Sequence, residues 1–192
     1  MPKVYIYNMG GQYTHVIWRT MRDLDFDAEI IKRDVPLSSI SDAYAIIISG
    51  GPGSAPNDSY PVLEEIIKKA ESGEFAKPLL GICFGHQLIA HVLGGKVEKG
   101  TKAEYGAMKI KVDDHSDLFA GVPDEFNAWV SHFDEVKSLP KGFVPLAHSE
   151  VCKFEAMRAA GKKIFGVQFH PEVWHTEHGE TILKNFLSQG SD

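Results

Sequence analysis

The stretch KPLLGICFGHQLIAHVLGG, residues 77–95, decides how this chain folds. Its apolar opening, residues 78–82, reads as a short buried strand that breaks at Cys83 and turns at once into a helix bearing Leu88, Ile89, Val92 and Leu93. Gly81 and Gly85 lie two residues to either side of Cys83. This is G-x-C-x-G, the pattern of a nucleophile elbow with cysteine in place of serine. Glycines there leave room where strand and helix backbones come close, so a strained nucleophile can stand out from the sheet edge. A thiol at a helix N-terminus also meets the positive end of the dipole and free amide groups, which favour the thiolate. Free cysteine is equally an ordinary core residue, so the elbow alone leaves packing and catalysis both open.

Upstream, the chain alternates in the manner of an open parallel sheet. Residues 3–9 form a β-rich run that stops at Gly10-Gly11, and residues 14–24 place Ile17, Met21 and Leu24 at helical spacing with Thr14 available as the cap. Residues 28–32 supply a second strand, and residues 44–49, YAIIIS, are a continuous apolar run of the kind buried on both faces. A loop, SGGPGS at 49–54, leads into a helix over residues 60–72 with Pro61 in its first turn. The order β-α-β-β-α-β-α predicts an α/β fold with an open, mostly parallel sheet flanked by helices, whose sites form beyond the carboxyl ends of the strands. Both glycine-rich loops and Cys83 fall at that edge. The SGGPGS loop lacks the lysine of a phosphate loop. Beside an elbow, its backbone amides suit an oxyanion hole, for which the candidates are the N–H groups of Gly51 and Phe84.

Downstream, residues 96–146 change to short strands and turns, namely 107–112, 126–130 and 134–138, which predicts a smaller antiparallel addition to the sheet. Between the last two lies the polar cluster Ser131-His132-Phe133-Asp134, which reads as a solvated turn or a pocket wall. Cys152 sits in a strand-like stretch, 151–157, without flanking glycines or a helix start, and is expected to be a packing residue.

A second constellation stands at residues 164–173, IFGVQFHPEV. An apolar strand is predicted to end at His170; alternation puts His170 and Glu172 on one side of the chain, with Pro171 stiffening the link. Neutral histidine is the usual base for a cysteine, and a carboxylate fixes its tautomer and stabilises the imidazolium. The remaining histidines show no metal spacing and H-E-x-x-H is absent, so no metal site is expected.

Composition bounds the rest. A chain of 192 residues with 43% hydrophobic and 24% charged residues is expected to form one domain, 1–192, with a proper core. Net charge is −6 and no dense Lys/Arg run occurs, which argues against nucleic acid or an anionic membrane as partner. Two distant cysteines make no disulfide framework, and nothing resembles a signal peptide or a spanning helix, so a reducing cytoplasm is expected.

GGPGS at 50–54, GICFGHQ at 81–87 and FHPEV at 169–173 together resemble the class I, triad-type glutamine amidotransferases, over essentially the whole chain. Finer features, GGQYTH near the N-terminus, EYG at 104–106, FNAWVSHFDEV at 126–136 and HPEVWHTEHGETILKNF at 170–186, are similar to the branch of that family that serves GMP synthesis. The resemblance implies that Cys83 attacks the side-chain amide of L-glutamine, with His170 as base and then acid and Glu172 orienting it. Gln87, Ser131 and His132 match positions that line the glutamine pocket. Phe133 stands where the family commonly has glycine, and Asn8 where an aspartate is usual. No ATP-pyrophosphatase segment is present. The resemblance therefore implies that the partner is a separate synthetase subunit, where ATP and Mg2+ would act on xanthosine monophosphate, and that this chain holds no cofactor.

Overall fold

A computed structural model of the chain describes residues 1–191. Five strands form its parallel part: β1 (Lys3–Asn8), β2 (Asp27–Lys32), β3 (Ala43–Ile48), β4 (Leu79–Ile82) and, from much later in the chain, β9 (Ile164–Val167). The helices between and after them are α1 (Thr14–Asp23), α2 (Pro61–Ser72), α3 (Phe84–Val92) and α4 (Gly179–Ser188). The remaining strands, β5 (Lys96–Val112), β6 (Glu125–Ser138), β7 (Phe143–His148) and β8 (Ala156–Ala159), are antiparallel to their neighbours. All nine belong to one sheet in the order β2-β1-β3-β4-β9-β8-β7-β5-β6. The antiparallel addition joins through β8, which pairs with β9.

The core follows from two-fold alternation along strands covered on both sides. Val4, Ile6, Ala45, Ile47, Leu80, Ile82, Phe165 and Val167 face one apolar cluster, which takes Ile17 and Met21 from α1 and Ile182, Leu183 and Phe186 from α4. Tyr5, Tyr7, Ile46, Ile48 and Leu79 face the other, against Leu63, Ile66 and Ile67 of α2 and Leu88 and Ile89 of α3. Among the described residues no helix is long and apolar enough to cross a membrane.

Four local expectations are corrected. Thr14 does not cap α1: Tyr13 holds the cap position, and the Thr14 hydroxyl turns inward, 3.3 Å from Asn8 Oδ1 and 3.3 Å from Ser49 Oγ, where it ties the ends of β1 and β3 together. Residues 131–134 are no turn, because β6 runs unbroken through them. Its partner β5 absorbs the irregularity instead, with Lys99 opposite Asp134 and Glu104 opposite His132, so the residues between bulge outward. Cys152 precedes β8 in irregular chain and is not on a strand, although it is fully buried and its backbone N–H donates to Ser149 Oγ at 2.9 Å. The strand expected to reach His170 stops at Val167, since Gln168 N–H then donates to Glu155 O (2.7 Å) and His170 N–H to Trp129 O (2.9 Å). That crossing carries the histidine from β9 towards β6.

Candidate active site

Cys83 sits between β4 and α3 at φ +52°, ψ −104°, a backbone conformation that a side chain seldom adopts. Its neighbours impose it. The Cys83 N–H donates to Val167 O at 2.8 Å, anchoring the elbow to β9. A β carbon at Gly81 would overlap the Gly85 carbonyl, and one at Gly85 would overlap the carbonyl of Ile48 on β3. Only glycine at both positions lets α3 leave so sharply across the end of β3. Cys83 is 7% exposed, at the end of the parallel strands.

Three groups surround the sulfur. The Ser131 carbonyl of β6 lies 3.8 Å away, and the Gln168 side-chain amide donates towards it at 3.6 Å. His170 lines the same cavity. A β carbon on Gly50 would stand 3.0 Å from His170 Cε1 and 3.4 Å from Cys83 Cβ, so this glycine lets the SGGPGS loop lie against both residues. His170 Nδ1 is 2.7 Å from Glu172 Oε1, so Nδ1 donates to the carboxylate and leaves Nε2 as the nitrogen that exchanges a proton at the site. Tyr13 packs edge-on against the imidazole with ring centroids 5.0 Å apart, and Thr176 donates to the His170 carbonyl at 2.6 Å.

The electrostatics centre on this pair. Burial pushes the imidazole down, but the Glu172 carboxylate and the Cys83 sulfur together outweigh it, and His170 is raised to about 10. The Glu172 side chain is 1% exposed and its Oε2 has no hydrogen-bond partner, so its charge is directed at the ring alone.

Two spaces meet at the thiol. One, of about 300 Å3, is bounded by the Gly10-Gly11 loop, Tyr13, Gly50, Gly51, His170 and Glu172; that is enough for a small polar metabolite. The other, of about 210 Å3, is bounded by Gly51, Phe84, Gln87 and residues 131–134. The two glycine-rich loops touch backbone to backbone, since a β carbon at Gly51 would overlap the Met9 carbonyl. Phe84 N–H is the first amide of α3 and has no helix carbonyl behind it.

All eight residues singled out from the sequence therefore meet at Cys83, with two qualifications. The Gln87 amide nitrogen is already engaged, donating to Asp134 O (2.7 Å) and Gln168 Oε1 (3.1 Å). The His132 imidazole is 2% exposed and points into the protein, towards Glu104, so His132 reaches the cleft through its backbone. Sequence reasoning missed Gln168, although the alternation that pairs His170 with Glu172 extends one step back to it. It also missed Tyr13, whose position becomes readable only once β1 and β3 are known to be neighbours.

The sequence matches the family described as glutamine amidotransferase class-I over residues 5–189. It is 48% identical over 186 residues to a glutamine-hydrolyzing GMP synthase subunit of Thermococcus kodakarensis, covering 95% of this chain and 96% of that one. The subunit of the same name from Methanocaldococcus jannaschii is 46% identical over 187 residues, with 95% of each chain covered. Among solved structures, a putative GMP synthase subunit from Thermoplasma acidophilum superposes with a TM-score of 0.89 at 33% identity, covering 100% of this chain and 94% of the other. A glutamine amidotransferase from Thermotoga maritima shares the fold, with a TM-score of 0.75 at 23% identity over 90% of this chain and 76% of that one. With the cysteine elbow and the His170–Glu172 pair at one sheet edge, and this match over nearly its full length, the chain belongs to the class-I glutamine amidotransferase family.

Proposed function

We propose that this chain is the glutamine-hydrolysing subunit of a two-subunit GMP synthase. The observation that carries the reading is Cys83 held at positive φ beside a His170 that a buried carboxylate grips at 2.7 Å. The Cys83 thiolate attacks the side-chain carbonyl carbon of L-glutamine, forming a C–S bond and placing negative charge on the oxygen. The amides of Gly51 and Phe84 receive that oxyanion. His170, which already holds its proton at neutral pH, gives it to the departing nitrogen; the C–N bond breaks and ammonia leaves a glutamyl thioester. Water then attacks the thioester, His170 takes its proton, and glutamate departs with Cys83 restored. Glu172 keeps the ring oriented throughout and balances the imidazolium. Gln87 and the Ser131-His132 backbone wall the glutamine pocket.

The chain acts as one domain and requires no metal or cofactor of its own for this chemistry. Its partner is a separate ATP-pyrophosphatase subunit that uses ATP and Mg2+ to activate xanthosine monophosphate; the designation of the relatives as one subunit of the synthase supports such a division. The reading places the complex in the cytoplasm, where two unpaired cysteines stay reduced. Ammonia set free in water is protonated and lost, so the two sites are enclosed together and hydrolysis is slow until the partner docks. The test is GMP formation by this chain with a candidate synthetase subunit, supplied with either glutamine or ammonium. Wild type is expected to use both, and Cys83→Ala only ammonium; glutamine-dependent GMP formation by Cys83→Ala would refute the assignment.

A further inference from the structure

Next to the proposed glutamine pocket, four side chains from three stretches of the chain, β5, β6 and the loop before β8, converge. One ligand atom each from Glu104, His132, Cys152 and Glu155 lies within 4.8 Å of all the others, the one such grouping among the described residues. His132 Nε2 is 2.7 Å from Glu104 Oε2, with both side chains 2% exposed. Cys152 and Glu155 are fully buried. Neither carboxylate oxygen of Glu155 has a hydrogen-bond partner, although it faces these three groups. Lys137 pairs with Glu135, and Arg158 with Asp114 and Asp117, so neither cation is committed to Glu155.

A carboxylate left dry and unpaired is strongly unfavourable, so buried Glu155, with Glu104 beside it, calls for a proton or a cation. His132 Nδ1 is 3.0 Å from Asp134 O, and a carbonyl only accepts, so Nδ1 carries the hydrogen. In the neutral ring the Nε2 lone pair then faces the carboxylates. An imidazole oriented by a backbone carbonyl through one nitrogen, with its other nitrogen beside a thiol and two carboxylates, is arranged as metal-ligating histidines are. We propose that Glu104, His132, Cys152 and Glu155 form a buried site for one divalent transition-metal ion, and that nitrogen, sulfur and two oxygens in a four-coordinate set favour zinc. Bonds of about 2.0–2.3 Å to such an ion require the ligands to close by about 1 Å. Cys152 lies in irregular chain before β8, and its neighbours Ser149, Val151 and Lys153 line a surface groove.

The consequence lies next door. His132 follows Ser131, whose carbonyl faces Cys83, and Asp134 O also receives the Gln87 amide. An ion on His132 would brace this wall of the pocket as a structural element, remote from the bonds that change. The proposal does not depend on the assigned activity.

Cobalt(II) is the probe, added to chelator-treated full-length protein with zinc as competitor. Equilibrium dialysis is expected to give one cobalt per chain, with a thiolate-to-cobalt charge-transfer band and a raised melting temperature; zinc is expected to displace the cobalt and abolish the band while the melting temperature stays raised. The band is expected to vanish in Cys152→Ser and persist in Cys83→Ser, and Glu155→Gln is expected to weaken binding at least about tenfold. If Cys152→Ser does not fold, the near-isosteric Glu155→Gln carries the test. Substoichiometric cobalt, a band that follows Cys83, or unchanged affinity in Glu155→Gln would overturn the proposal and leave a shared proton as the partner of Glu155.

Discussion

His170 sets the pH behaviour at the scale of single residues. Despite burial, Glu172 and Cys83 lift it to about 10, from an unfolded value of about 6.5. A group raised on folding contributes stability that is complete below its unfolded pKa and is lost as pH rises through the folded one. Stability from this site is therefore expected to decline between about pH 6.5 and about 10, and urea midpoints across that range should show a shallower decline in Glu172→Gln. An equal slope in both proteins would mean that Glu172 does not hold the proton on the ring. Gln168 invites a second test, because its amide donates to the Cys83 sulfur at 3.6 Å while its oxygen accepts from Gln87. A hydrogen bond to a charged group is worth about 1.5–3 kcal/mol, so Gln168→Leu is expected to lower kcat for glutamine hydrolysis about 10- to 100-fold. Its expected signature is slower alkylation of Cys83 at neutral pH, with KM little changed. This residue was legible in principle, since the alternation linking His170 to Glu172 includes it; a glutamine simply carries no mark of chemistry by type.

Among the elements, the elbow is the part the sequence reveals most fully, because its chemistry is local. Strand, turn and helix lie within a few residues, and the two glycines meet backbone that any strand-to-helix reversal must approach. Gly85→Ala pushes a methyl group into the Ile48 carbonyl and is expected to cost about 3 kcal/mol, together with loss of activity. Gly73→Ala is the control. That residue ends α2 at φ +89° with open space around it, so only the left-handed backbone is penalised, by about 1 kcal/mol with activity kept. Urea denaturation separates the two, and equal losses would mean that the approach of Gly85 to the Ile48 carbonyl does not fix the elbow. The opposite lesson comes from β6, where Ser131-His132-Phe133-Asp134 has turn-like polarity but is strand. Its pairing with the bulged β5 overrides local propensity, and no residue within the tetrad signals a partner so far upstream.

For the molecule as a whole, the alternation of elements announced a parallel sheet with the site at its carboxyl edge, and the structure has that form. Strand order was not legible. That β9 inserts beside β4, so that Val167 anchors Cys83 and the following residues deliver His170, depends on contacts between distant segments. The convergence of Glu104, His132, Cys152 and Glu155 was hidden for the same reason, because ligands drawn from separate strands and a loop have no diagnostic spacing. In the proposed function, Cys83 becomes glutamylated during turnover. The most direct measurement is acid quenching of the chain during glutamine hydrolysis, with the synthetase subunit, xanthosine monophosphate, ATP and magnesium present, followed by peptide mass mapping. One glutamyl group is expected on the peptide containing Cys83, absent from Cys83→Ser. A glutamyl group on any other residue, or ammonia release at the wild-type rate by Cys83→Ser, would contradict it.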